Sequence, residues 1–369
     1  MGWNTWNTFG GDIDEQLIRE SADAIVSEGL LDAGYKYVVI DDLWEAPERD
    51  KDGRLAADPE KFPNGIKALA DYVHSKGLKF GIYSCVGTHT CGRRPASYGN
   101  EELDAETFAA WGVDFLKYDY CYKPAGVSGP MLYKRMGQAL RATGRKILYS
   151  MCNWGAEEPW KWAASCGGHM WRTTGDIADS WASIEEIGFS QDGLEYYAGP
   201  NRWNDPDMLV VGMYGKGNCS DEVGCTDTEY RTHFSLWCLL AAPLMIGCDV
   251  RSMTAAAKEI LTHREVIAVD QDPMGRQGYR VGKDGSSAQV WAKPLSDGSL
   301  AVGLFNRANG WAQTIPVAWE SVGLHDRRPA VVRDLWKRED LGVFSGSFSA
   351  SVEAHGCLLL KLTPQRRAV

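Results

Sequence analysis

Val113–Cys121 reads VDFLKYDYC, an apolar run rich in β-branched and aromatic residues that closes on two charges, Lys117 and Asp119. The pattern predicts a buried strand. Side chains alternate along a strand, which puts Phe115, Lys117 and Asp119 on one face and Leu116 and Tyr118 on the other. A cation and a carboxylate on the inner face of a core strand are costly to bury unless they are used. The bland alternatives are an edge strand with one wet face, or a structural ion pair between Lys117 and Asp119. What decides between them is that other runs in the chain end the same way.

Outward from this stretch, strands are expected at 2–10, 35–42 (YKYVVIDD), 79–84, 147–152, 169–173, 203–209 and 244–247. Helical periodicity marks 14–28, 66–76, 105–111, 131–143, 159–164, 184–188, 228–240 and 254–263. Strand and helix thus alternate about eight times over roughly 265 residues, the pattern and size of a (β/α)8 TIM barrel in the α/β class. A doubly wound open sheet is the rival, but no GxGxxG follows a strand. After a linker at 269–278 the texture changes to short alternating runs, AQVWAKPL, LAVGLFNR, AVVRDLW, FSGSFSASV and CLLLKL. These predict a small C-terminal antiparallel β-sandwich. The expected division is a barrel over 1–272 and a sandwich over 273–369.

The 369 residues carry a net charge of −10, which argues against nucleic acid or an anionic membrane as partner. No apolar run approaches the length that spans a bilayer. Fifteen Trp is an enrichment that suits stacking on apolar sugar faces as well as core filling. The ten Cys include no CxxC pair. Cys219 with Cys225, and Cys91 with Cys121, are spaced to allow disulfides, which suggests an oxidising compartment. Asn218-Cys219-Ser220 is formally a glycosylation sequon. Met1 is followed at once by the first expected strand, so either a leader has been trimmed from a secreted or periplasmic protein, or the protein is cytoplasmic.

Residues at the C-terminal strand ends of a barrel line its active site. Here those ends carry Trp6, Asp41 and Asp42, Tyr83, Lys117 and Asp119, Cys152 and Trp154, Arg172 and Asp176, and Asp205 and Asp207. No His stands among them, so no transition-metal site is expected, while an all-oxygen Mg²⁺ or Ca²⁺ site stays open from the Asp count. Several carboxylates with one Lys, one Arg and aromatics suit polyhydroxyl recognition and the paired-carboxylate chemistry of glycoside cleavage.

GWNTWN, VVIDDLW, LKYDYC, SMCNWG, WRTTGDI and WNDPDMLVVG stand in order over residues 2–212. Together they resemble glycoside hydrolase family 27, the family of α-galactosidases and α-N-acetylgalactosaminidases. The resemblance implies a retaining glycosidase without metal or cofactor, acting on a terminal α-galactosyl oligosaccharide or glycoconjugate. It makes Asp119 the nucleophile and Asp176 the acid/base. It places Trp6, Asp41, Asp42, Tyr83, Lys117, Cys152, Asn153, Trp154, Arg172, Asp207 and Met208 around the sugar, and pairs Cys91 with Cys121. Asn153 replaces the Glu of many α-galactosidases near the sugar 2-substituent, and the loop at 85–99 is longer and more basic than usual for the family. α-N-Acetylgalactosaminidase and β-L-arabinopyranosidase activities are the alternatives on this scaffold. From other classes, a barrel lyase forming a Schiff base on Lys117 and a non-catalytic sugar-binding protein also compete. For Asp176 the plain structural alternative is a helix N-cap, for Asp41 and Asp42 a loop cap, and Asp205 beside Pro206 reads as structural.

Overall fold

The computed structural model describes residues 1–220, 223–282 and 286–365. The expected sandwich boundary of 273–369 therefore includes two short stretches, 283–285 and 366–369, that lie outside the described residues. Eight parallel strands form the first sheet: β1 (Gly2–Asn4), β2 (Tyr37–Val39), β3 (Lys79–Cys85), β4 (Phe115–Asp119), β5 (Leu148–Cys152), β6 (Met170–Arg172), β7 (Trp203–Asp205) and β8 (Met245–Ile246). They pair in the order β7-β6-β5-β4-β3-β2-β1-β8. The sheet closes into a barrel just beyond β7, where Leu209 bridges Ile246 in parallel. The Leu209 amide donates to the Met245 carbonyl at 2.7 Å, and the Gly247 amide to the Leu209 carbonyl at 2.9 Å. Between β7 and Leu209, Pro206 removes a backbone donor and Asp207 adopts φ 84°, a left-handed kink that interrupts the ladder.

The barrel interior is layered. Its floor is apolar, with Val39, Phe115, Met170, Met208 and Met245 packed together. Gly81 belongs to this floor because a Cβ there would lie 2.7 Å from Val39 Cγ2 and 3.1 Å from Phe115 Cβ. One strand turn higher, the inward positions are Asp41, Lys117, Arg172 and Asp205, all buried or nearly so. The other strand faces, Leu116 and Tyr118 among them, pack under the helices in the main core. The alternation expected on β4 is the one observed.

The helices follow their sequence signals. Glu15–Ser27 is capped by Asp14, whose side chain accepts from the Leu17 amide, and it buries Leu17, Ile18, Ala22 and Ile25. Asp227–Leu240 begins with a full capping box between Thr226 and Glu229. Several boundaries differ from expectation. The first strand stops at Asn4, and Trp6–Phe9 is a helical turn. The expected helix at 159–164 is two 3-10 turns, Pro159–Lys161 and Ala163–Cys166, too short to add a regular turn. The start of the expected linker, Val269 and Asp270, ends a further helix, Arg264–Asp270, capped by His263.

The C-terminal strands are β9 (Tyr279–Val281), β10 (Ala288–Pro294), β11 (Leu300–Asn306), β12 (Gln313–Ala318), β13 (Ala330–Asp334), β14 (Glu339–Phe344), β15 (Ser347–Val352) and β16 (Cys357–Pro364). Six form one sheet in the order β14-β13-β16-β11-β10-β9, and β12 and β15 form the second. All ladders are antiparallel. FSGSFSASV, expected as one run, spans the end of β14 and all of β15 across the turn at Gly346. β11 is buried on both faces: Val302 and Leu304 meet the sandwich core, while Ala301 and Phe305 join the barrel core. Gly303 permits this, since a Cβ would lie 2.7 Å from Leu239 Cδ1 of the barrel helix. Lys293 of β10 is fully buried there, donating to the Val269 carbonyl at 2.6 Å and the Cys238 carbonyl at 3.2 Å. A cation is thereby held at the C-terminal ends of two barrel helices, where the helix dipoles favour it. No helix among the described residues is long and apolar enough to cross a membrane.

Candidate active site

A cavity of about 430 Å³ opens at the C-terminal ends of the barrel strands. Trp6, Asp41, Asp42, Tyr83, Lys117, Asp119, Trp154, Arg172, Asp176, Asp207 and Met208 all line it, so these expected positions are brought together. A larger groove, about 610 Å³, lies at the opposite end of the barrel. Its one carboxylate, Asp114, is already bound by His74 and Arg145.

Lys117 does not pair with Asp119. Its Nζ donates to Asp41 Oδ2 at 2.8 Å, and the Asn4 amide donates to the same oxygen at 2.7 Å. Burial lowers the Lys117 pKa, but the neighbouring Asp41, Cys152 and Asp119 outweigh it and the net shift is upward. An ammonium held this way is a poor amine nucleophile, which weighs against the Schiff-base reading. Asp119 Oδ2 accepts from the Tyr83 hydroxyl at 3.1 Å, and Oδ1 accepts from the Tyr120 amide at 2.8 Å. Burial pushes the Asp119 carboxyl up to about 6, against a downward pull from Lys117.

Asp176 sits at the rim, with its side chain 70% exposed and its Oδ1 2.9 Å from Arg172 Nη2. On its inner side burial raises the pKa, yet the charges of Arg172 and Lys117 prevail and the net shift is downward. The N-cap reading of Asp176 does not hold, because Ser180 caps the following helix. Arg172 is buried, and its Nη1 pairs with Asp207 Oδ1 at 3.1 Å. Asp207 Oδ2 also accepts from the Ile177 amide at 2.8 Å, so the kinked residue ties two strand ends together. Asp205 lies in a small void below, where burial lifts its carboxyl to about 7. Asp42 both lines the cavity and holds a loop: Oδ1 accepts from the Leu43 amide at 2.8 Å and Oδ2 from the Gly92 amide at 2.6 Å.

Two expected contacts fall elsewhere. Cys152 is buried beneath the cavity, its Sγ 3.6 Å from Arg172 Nη1. Asn153 is fully buried and absent from the cavity wall, because its side-chain amide turns inward to donate to the Ala156 carbonyl. It braces the turn that carries Trp154 at φ 54°. Cys91 and Cys121 are disulfide-bonded. Cys219 and Cys225 remain thiols, contrary to the pairing their spacing allowed. The reason lies in where each is anchored. Cys219 Sγ lies 3.7 Å from Met213 Sδ, and the Cys225 side chain is hydrogen-bonded to the Asp179 carboxylate.

Asn7, Ile177, Ala178, Asn218, Cys219 and Ser220 also line the cavity and are not among the expected positions. Asn7 stands within the GWNTWN motif, a usable signal, whereas the others belong to loops whose path a one-dimensional pattern does not encode. Non-glycine residues with positive φ recur around the mouth: Leu43, Arg93, Tyr122, Trp154 and Asp207 follow strand ends or their loops. Such backbone strain persists where the surroundings fix it and is typical of functional sites. Among the described residues, Cys91, Asp119 and Cys121 form one grouping with metal-ligand proximity, but two of its three donors are disulfide sulfurs rather than thiolates.

Residues 1–272 match the family model described as alpha galactosidase A, and 285–362 match the alpha galactosidase C-terminal beta sandwich domain. The chain is 49% identical to the alpha-galactosidase of Cyamopsis tetragonoloba over 99% of its own length and 86% of that protein. The crystal structure of alpha-galactosidase I from Mortierella vinacea superposes with a TM-score of 0.91 at 40% identity, covering 98% of this chain and 96% of that one. The alpha-galactosidase of Saccharomyces cerevisiae, solved with raffinose, gives 0.90 at 31% identity over 99% and 97%. With its barrel, its sandwich and its ring of carboxylates in one cavity, the chain belongs to the α-galactosidase family of glycoside hydrolases, family 27.

Proposed function

We propose that the chain is a retaining α-galactosidase that removes terminal α-D-galactosyl residues from oligosaccharides or glycoconjugates. The observation that carries this is the contrast between two carboxyls in one cavity: Asp119 buried against Tyr83, and Asp176 at the open rim beside Arg172. Asp119 attacks C1 of the galactosyl ring while the Asp176 proton passes to the glycosidic oxygen, and the C1–O bond breaks. The galactosyl–Asp119 ester is then opened by water, whose proton returns to Asp176. Lys117 and Asp41, with Asp42 and the Arg172–Asp207 pair, are assigned to hold the sugar hydroxyls, and Trp6 and Trp154 to pack on the ring. The known raffinose complex of a relative supports an α-galactosyl oligosaccharide as the substrate class. Because Asn153 is turned away, the room at the sugar 2-position is set by the rest of the wall.

We assign catalysis to a barrel over 1–272 and a supporting role to a sandwich over 273–369. A secreted or periplasmic location is supported by the disulfide. The test is a panel of p-nitrophenyl glycosides with product NMR. Turnover of the α-galactoside with α-galactose as first product supports the reading. Preference for the α-N-acetylgalactosaminide or β-L-arabinopyranoside, or an inverted product, would overturn it.

A further inference from the structure

The Cys91–Cys121 disulfide joins the loop after β3 to the segment after β4. Other contacts also hold the two backbones in place. A Cβ on Gly87 would meet the Cys121 carbonyl oxygen at 2.1 Å, so the two segments lie directly on each other. The Thr88 amide donates to the Tyr122 carbonyl at 3.3 Å, and the Cys85 thiol to the Cys121 carbonyl at 3.1 Å. On the far side of Cys91 the Gly92 amide donates to Asp42 Oδ2 at 2.6 Å. Opening the S–S bond would therefore leave both cysteines side by side. Both are half-buried, and Cys91 is part of the cavity wall.

Asp119 completes the group. One of its carboxylate oxygens and the sulfurs of Cys91 and Cys121 all lie within 4.8 Å of one another. Two thiolates on one Zn²⁺ stand at most about 4.6 Å apart, twice the Zn–S bond, so side-chain rotation brings all three donors onto a single ion. Two thiolates with one carboxylate select a tetrahedral, borderline-soft cation over Mg²⁺ or Ca²⁺, and water can fill the fourth position. The Tyr83 hydroxyl lies 3.1 Å from Asp119 Oδ2 and 3.3 Å from Cys91 Sγ, an outer-shell partner of the kind that orients metal ligands. The cavity supplies the entry path. While the disulfide is closed its sulfurs are not thiolates, and the carboxylate alone is too few donors to hold an ion.

We propose that Cys91, Cys121 and Asp119 form a latent zinc site, created when the disulfide opens, and that zinc bound there silences the enzyme by occupying its nucleophile. A dithiol supplies two electrons and two protons to the S–S bond and leaves as its own cyclic disulfide, giving two thiols. Zn²⁺ then displaces both thiol protons to solvent and takes the ionised Asp119 as third ligand. The silencing rests on the α-galactosidase reading, whereas the metal site does not.

The protein is reduced with a dithiol, freed of it by anaerobic gel filtration, and titrated with Zn²⁺ beside the untreated protein. Hydrolysis of p-nitrophenyl α-galactoside by the reduced protein should fall about tenfold once Zn²⁺ is about ten times its Kd, while the untreated protein stays within about twofold. Co²⁺, read by its thiolate absorption, reports binding without turnover. A single equivalent should bind the reduced protein, and none the untreated one. A Cys91→Ser, Cys121→Ser double variant keeps every other thiol and should lose both the absorption and the response to zinc. Asp119→Asn should weaken Co²⁺ binding about tenfold or more and keep the absorption. Unchanged turnover at saturating zinc, no cobalt–thiolate absorption in the reduced protein, or an equal response in the double variant would each overturn the proposal. If reduction alone stops turnover, the cobalt titrations decide. Failure of the untreated protein to hydrolyse the galactoside would instead overturn the galactosidase reading, and with it the silencing but not the site.

Discussion

Lys117 Nζ lies 2.8 Å from Asp41 Oδ2, two strands away, rather than on Asp119, its neighbour on the same face of β4. The lysine thus neutralises one buried carboxylate by contact and acts on Asp119 only through its field, leaving the Asp119 oxygens to Tyr83 and a backbone amide. A nucleophile held by weak donors stays reactive, whereas a direct ammonium contact would compete with the attack on carbon.

Replacing Lys117 with Met should therefore do two things. Asp41 would lose its countercharge while buried, which typically costs about 3–5 kcal/mol and is read by urea unfolding. The downward pull on Asp119 would also vanish, so its pKa should climb beyond about 6. Lys117 pulls Asp176 down as well, so both limbs of the pH profile of kcat/KM should move to higher pH. An unshifted profile would contradict the field effect.

The two carboxyls are displaced in opposite senses, Asp119 up to about 6 and Asp176 downward. The first step needs one proton on the pair, placed on Asp176. kcat/KM is expected to be bell-shaped with its maximum on the acid side. It declines as pH rises through about 6 and the last proton leaves, and again at low pH as the second proton arrives. A maximum above neutral pH would be inconsistent with these environments.

Asp119→Asn should abolish turnover, with kcat down about 10⁴-fold or more, and yet stabilise the fold at neutral pH. A carboxyl whose folded pKa is raised contributes stability fully only below its unfolded value, and that contribution is lost as pH rises through the folded one. The Asn variant should therefore exceed its parent by on the order of 2 kcal/mol at neutral pH, with the difference fading towards the acid end. Paired denaturation curves at the two pH values check both the sign and its pH dependence.

Asp42→Asn places an amide where Asp42 Oδ2 accepts from Gly92, which should loosen the 88–94 loop for every substrate. Beyond that common loss, the α-galactoside should suffer about tenfold more than the β-L-arabinopyranoside, which lacks the C6 hydroxymethyl group. The ratio of the two kcat/KM changes is the measurement. Equal losses would mean that this carboxylate does not recognise the C6 hydroxymethyl group.

Lys293→Met would leave the Val269 and Cys238 carbonyls without their donor in the contact between sandwich and barrel. A loss of about 1–3 kcal/mol is expected in urea unfolding, with kcat nearly unchanged. Because β11 is buried on both faces, the unchanged protein should unfold in one transition, and the variant should begin to separate two.

Much of this protein is determined locally. The alternation of Phe115, Lys117 and Asp119 against Leu116 and Tyr118 follows from strand geometry alone, and the charges at successive strand ends point to one mouth as soon as the barrel is assumed. Helix starts at Asp14 and Thr226 are written in their capping side chains, because a cap is satisfied within three residues. What tertiary structure decided is which charges meet. Lys117 chooses Asp41 over Asp119 because parallel strands β2, β3 and β4 bring the two side chains together inside the barrel, a distance no linear pattern contains. Asn153 turns inward because a tight turn needs its amide. Cys219 and Cys225 stay apart because each is anchored by packing around Met213 and Asp179. β11 reads as uniformly apolar because a helix from the barrel covers its second face. Local preference acts over one turn of chain, whereas these choices depend on contacts between residues tens to hundreds of positions apart, which form only once the chain is closed upon itself.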